Sequence, residues 1–178
     1  SGAGLPVSIL RSFRAPGERT RSDAELLSER VSTTATGLLS LLGIDADPIQ
    51  SRESVLISTI LENAWKAGED LDLPALIARI QKPPFQRVGA LDPDTFFPQK
   101  DRFALAMKLN NLLAAPKFAS WLEGEPLDVA AFLRTPQGKP RVSIFSIAHL
   151  SDAERMFFVT LLLNEIVGWM RGQSGTTS

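Results

Sequence analysis

The sequence contains no cysteine and a single histidine in 178 residues. Disulfides and thiolate metal sites are thereby excluded, and a multi-histidine metal site cannot be assembled. Absence of cysteine fits a reducing compartment, so the expected location is cytoplasmic. An excess of one charge is missing as well: nineteen Lys and Arg stand against twenty Asp and Glu, a formal net charge of −1. No whole-chain field draws the molecule toward nucleic acid or an anionic membrane, and any such contact has to be local. The first stretch, SGAGLPVSILRSFRAPGERTRSD, lacks the long apolar core and small-residue cleavage site of a secretory signal. The most apolar run, Met156 to Met170, is only fifteen residues and includes Asn164 and Glu165. That is short of the roughly 20 apolar residues needed to span a bilayer, and it reads as a buried core helix with no membrane partner.

What the chain does have is 44% hydrophobic and 22% charged residues, the balance of a folded globular domain. Helix signals dominate. Ser22 opens SDAE, a capping box with Glu25, and Leu27, Val31, Leu38, Leu41 and Leu42 follow at roughly helical spacing up to Gly43. Asp47 and Pro48 start a second helix running to about Ala67, with Val55, Leu56, Ile60, Leu61 and Ala64 on one face. Asp72 caps a shorter helix over 73–81 that Pro83 and Pro84 end. Residues 82–98 hold four prolines and a glycine and read as a long ordered loop, packed by Phe85, Phe96 and Phe97. A helix over about 99–114 carries Phe103, Leu105, Leu109, Leu112 and Leu113, and short helical pieces follow at about 117–122 and 127–133.

Two segments read as extended. LPVSIL, residues 5–10, is a candidate short strand, followed by a basic stretch with Arg11, Arg14, Arg19 and Arg21 that reads as an exposed loop. The turn TPQGKP, residues 135–140, then separates the helical part from Val142–Ile147, which is rich in β-formers and lacks a strictly polar alternate face. That pattern predicts a strand covered on both sides. Ser151 opens a second SDAE capping box, and the helix over 152–171 carries large apolar residues nearly all round. At about 1.5–3 kcal/mol per large apolar side chain, one partner surface cannot satisfy it, and neighbours are expected on two sides. The two SDAE tetrapeptides have unrelated flanks and do not mark a repeat.

Local motifs for chemistry are weak. Gly138-Lys139 is the only Gly-Lys pair, but Leu133 stands where a P-loop needs glycine and Pro140 where it needs Ser or Thr. Ser146, His149 and Asp152 have the residue types of a nucleophilic triad, yet they sit three apart with no GxSxG elbow; packing, a turn and a helix start account for them. His149, just past the strand's carboxyl end, and Arg155, one turn into the helix, are candidates for a nucleotide-proximal or subunit contact. Arg11, Arg14, Arg19 and Arg21, with Arg79, Lys82 and Arg87, are candidates for nucleic-acid phosphate contact. Asp92 and Asp94 are too few ligands for a metal and read as a turn or helix cap.

GKPRVSIFSIAHLSDAERMFFVTLLLNEIVGWMRGQSGTTS, residues 138–178, resembles the segment preceding the Walker B strand in bacterial HerA-like ATPases of the HerA/FtsK superfamily. GLPVSILRSF, LLGIDADPIQSRE, DLDLPALIARIQKPPF, DTFFPQKDRFALAMKLNNLLA and FASWLEGEPLD resemble the helical region between Walker A and Walker B in the same proteins. The resemblance implies a mainly α chain: a helical insertion over 1–134, then, over 135–178, one strand–helix unit of a RecA-like α/β core whose sheet is incomplete. It implies a parent motor of P-loop type, usually hexameric, that uses ATP and magnesium to translocate DNA or remodel its ends. The rest of that core and further copies of the chain would be partners, with DNA a further candidate. Walker A would precede residue 1 and Walker B would follow residue 178, so no catalytic residue, cofactor site or metal site is expected here. The alternative is a free-standing helical interaction module with no enzymatic role; a third reading is a hydrolase using Ser146.

Overall fold

The structure, a computed structural model, describes residues 7–8, 13–118, 121 and 123–173. Helix α1 spans Glu18–Ser22 and α2 spans Ala24–Leu41. The expected Ser22–Glu25 capping box does not form. Ser22 is the last helical residue of α1 and its hydroxyl donates to the Arg19 carbonyl at 3.1 Å. Asp23 has the extended backbone an N-cap requires, and its Oδ1 accepts from the Glu25 and Leu26 amides, both at 3.1 Å. At the other end Gly43 takes a φ of 72°, which lets the Ile44 amide donate back to the Leu39 carbonyl at 2.9 Å.

Helix α3 spans Arg52–Lys66 and starts later than Asp47 and Pro48 suggested. Asp47 caps a separate turn, accepting from the Ile49 and Gln50 amides at 2.8 Å each. Ser51 is extended, which breaks continuity with that turn, and its hydroxyl caps α3 by accepting from Ser54 N at 3.3 Å. Helix α4, Leu73–Gln81, begins as expected, with Asp72 accepting from the Ala75 amide at 2.7 Å. The 82–98 loop holds a tight bridge between Val88 and Leu91 around Gly89, then a short helix α5, Pro93–Phe96, and it buries Phe97. Helix α6 spans Gln99–Ala114, matching the expected bounds, but Phe103 points to solvent at 54% exposure. A 3-10 turn at Pro116–Phe118 and α7, Val129–Leu133, follow.

These helices share one core. Leu38 and Leu39 of α2, Leu56, Ile57, Ile60 and Leu61 of α3, Leu76 and Ile80 of α4, and Leu109 of α6 are all fully buried. Helix α2 packs on α3, α3 on α4, and α4 on α6. Residues 13–21 are not the exposed loop expected. Phe13 exchanges backbone hydrogen bonds with Leu71, the Trp65 indole N–H donates to the Phe13 carbonyl at 3.2 Å, and Phe13 and Thr20 are buried. An aromatic that can fill the α3–α4 corner outweighs the polar composition around it.

The last forty residues depart most from expectation. Helix α8, Asp152–Gly172, lies on α2 and touches α7, and its capping box forms as read. The Ser151 hydroxyl accepts from Glu154 N at 3.4 Å, and the Glu154 carboxylate accepts from Ser151 N at 2.7 Å. Residues 142–147, however, form no strand and pair with none among the described residues. The expected coverage on both sides is absent: Val142 is 87% and Ile144 89% exposed. The reason is that no neighbouring strand lies alongside among the described residues. The only sheet there is a two-residue parallel pairing of β1, Val7–Ser8, with β2, Glu125–Pro126. The remainder of the LPVSIL candidate strand lies outside the described residues. The chain is mainly helical, and a RecA-like α/β sheet is not among its described elements.

Candidate functional site

The basic residues singled out by sequence fall into three situations. Arg11 lies outside the described residues. Arg19, Arg21 and Arg79 are engaged: Arg19 donates to the Arg171 carbonyl at 2.9 Å, Arg21 packs against Gly68, and Arg79 pairs with Glu69. Ala15 meanwhile donates its amide to Asp70 at 2.8 Å, so both basic stretches meet at the acidic turn Gly68–Asp72, where Arg79 finds its ion-pair partner Glu69. Arg14, Lys82 and Arg87 are exposed, and no ion pair to them exists among the described residues.

His149 is exposed in the turn between the extended segment and α8. Arg155 is used locally, donating to the Leu150 carbonyl at 3.1 Å and lying 3.5 Å from Asp152. Ser146, His149 and Asp152 share no hydrogen bond, and all three face solvent, so the nucleophilic arrangement is not assembled. Asp92 caps α5, accepting from the Asp94 and Thr95 amides and from the Thr95 hydroxyl at 2.6 Å. The Thr95 hydroxyl, then its amide, hold the Asp92 carboxyl below the ordinary carboxylate value; the Gln50 and Ile49 amides do the same for Asp47. Asp94 pairs with Arg102. Among the described residues no group of three or more His, Asp or Glu side chains is placed to hold a metal ion, and no helix is long and apolar enough to cross a membrane.

Two features were not legible as sites. One is a cavity of about 550 Å³ where β1, α2 and α8 meet, lined by Trp65, Leu161, Arg30, Glu165 and Asp70. Arg30 spans it, pairing with Glu165, donating to the Asn164 carbonyl at 3.0 Å and lying 5.9 Å from the Trp65 ring centre. Asn164 and Glu165 lie over a hundred residues from Arg30, and no spacing in the sequence announces them. Arg30 and Glu165 pair across the cavity, Asp70 and Asp72 accept from backbone amides, and the cavity is a joint between α2 and α8.

The other is the surface formed by the extended segment and α8. Phe145 anchors the segment, with ring centres 5.2 Å from Phe132 and 5.5 Å from Phe158. The Ser143 hydroxyl donates to the Phe132 carbonyl at 2.8 Å, and the Arg141 amide to the Leu133 carbonyl at 2.8 Å. From Arg141 to Ile147 inward and outward residues alternate, as in a strand. Yet the amides of Val142 to Ile147 have no backbone acceptor among the described residues. Its alternation and unpaired amides, with Val142 and Ile144 facing out, are features shared with the open edge of a sheet. Comparison with family models, with curated proteins and with solved structures finds no match for the chain.

Proposed function

We propose that the chain is a non-catalytic part of a HerA-like ATP-dependent DNA motor, with the helical body as an insertion and residues 135–178 as one strand–helix unit of its RecA-like core. The observation that supports this reading is the unpaired edge at 142–147. A β-rich sequence is held against the helices through Phe145, its amides make no backbone hydrogen bond among the described residues, and Val142 and Ile144 are exposed. Such an edge is costly to leave open, and a parallel sheet supplied by the rest of the motor would cover it. ATP, magnesium, a hexameric state, DNA as substrate and a cytoplasmic setting belong to that parent. This chain has no glycine-rich phosphate loop and no Walker B carboxylate, so the purified 178 residues bind and hydrolyse no ATP. Micromolar ATP binding with measurable turnover by the chain overturns that expectation.

Reading the neighbouring coding sequence tests the parent directly. GxxxxGK[ST] is expected upstream and an apolar strand ending in Asp-Glu downstream. Absence of both replaces the motor with the second reading, a free-standing helical interaction module, which the exposed apolar stripe of α8 favours.

A further inference from the structure

Helix α8 meets the helical body along one narrow seam. Seven of the fifteen residues of α3 are buried, whereas α8 buries only Glu154, Phe157 and Phe158 of its twenty-one. Cavities of about 550 and 300 Å³ flank its contact with α2. Thr34 and Leu161 line the first, Thr36 and Thr160 the second, and at about 3.6 residues per turn these pairs lie on opposite sides of the two helices. Phe157 fills the seam between the cavities. Its Cδ2 lies 3.2 Å from where a side-chain carbon on Gly37 would stand, and its ring stacks on Trp121 with centres 6.2 Å apart. Among the polar ties beside it are Arg30 to Glu165 and to the Asn164 carbonyl, Asn164 to Thr33, and Arg19 to the Arg171 carbonyl. Water replaces each such bond when the helices part, so the net hold of each is small.

On its other side α8 is tied to its own chain neighbours. Phe145 lies between Phe132 of α7 and Phe158 of α8, and the Arg141 amide and Ser143 hydroxyl donate to carbonyls of α7. Val129 and Phe132 of α7 are buried, but outside the main core that α2, α3, α4 and α6 share. We infer that α7, residues 141–147 and α8 form a hinged arm that lifts from the helical body as one unit, opening along the α2–α8 seam while the main core stays folded. Local opening is governed by the apolar surface and the bonds it exposes, and α8 buries little along this seam. The inference stands on the seam alone and does not require the motor reading, whose test is the neighbouring coding sequence.

Hydrogen–deuterium exchange of single amides in the full 178-residue chain, with and without low urea, tests it. The amides of Phe158–Asn164, in the middle of α8, are expected at least about a hundredfold less protected than the most protected amides of α3. Their protection should also fall less steeply with urea, because lifting the arm exposes less surface than unfolding. Gly37→Val drives a wedge into the seam against Phe157, while valine is a better helix former than glycine within α2. In that variant the α8 amides are expected to lose at least about tenfold in protection, the Phe132 and Arg134 amides of α7 to follow, and those of α3 not to fall. Retained α3 protection also shows that the variant folds. Equal protection and urea dependence in α8 and α3, joint loss in both on Gly37→Val, or α7 or α8 amides indifferent to it overturns the inference.

Discussion

Asp92 gathers three donors on one exposed carboxylate at the start of α5, and its protonation is where pH meets this fold most directly. Because the folded group is held below its ordinary value, it contributes stability above the unfolded carboxylate range. That contribution is lost as pH falls through the lowered folded value. Thr95→Val removes the largest cause, the hydroxyl hydrogen bond, and leaves the amide ones. The Asp92 titration midpoint is expected to move up toward 3.8 in a carboxyl-carbon NMR titration. An unmoved midpoint would show that the amides alone set it. Single residues of this kind were legible in advance: Asp92, Asp72 and Ser151 cap helices because their donors lie two or three residues away. Ser22 misled because Asp23, one position on, has both the extended backbone and the stronger acceptor.

Among the elements, the 82–98 loop shows how a long connection becomes ordered. Arg102 enters from α6, its side chain 5% exposed, and donates to the Phe97 carbonyl at 2.6 Å, the Pro93 carbonyl at 3.1 Å and Asp94 at 2.8 Å. Asp94 is 74% exposed, so the ion pair itself contributes little, and the carbonyl bonds carry the interaction. Lysine keeps the charge but not the planar fork. Arg102→Lys is expected to cost on the order of 3 kcal/mol in urea denaturation and to open 82–98 to limited proteolysis. Wild-type stability with an intact loop would remove Arg102 from this role. The sequence pointed to packing by Phe85, Phe96 and Phe97, and Phe97 is indeed buried; the arginine was invisible because its acceptors are carbonyls, which every residue has.

At the scale of the whole molecule, apolar side chains of similar size sit in opposite environments. Leu56 is fully buried in the core, whereas Ile144 is 89% exposed on the unpaired edge. Ile144→Lys is therefore expected to leave chemical-denaturation stability within about 0.5 kcal/mol, while Leu56→Ala costs roughly 2–5 kcal/mol. Equal losses at the two sites would mean that Ile144 is already packed in solution.

Which stretches become helices was determined by the sequence itself, because caps, prolines, glycines and 3.6-residue periodicity act within a few positions. So was the surplus of apolar surface on the final helix. Only the tertiary structure decided that Phe13 closes on Leu71 and that Arg30 ties α2 to α8. It also decided that Val142–Ile147 pairs with no strand among the described residues. Each of these depends on a group far along the chain, or on the lack of one, and no local spacing encodes that.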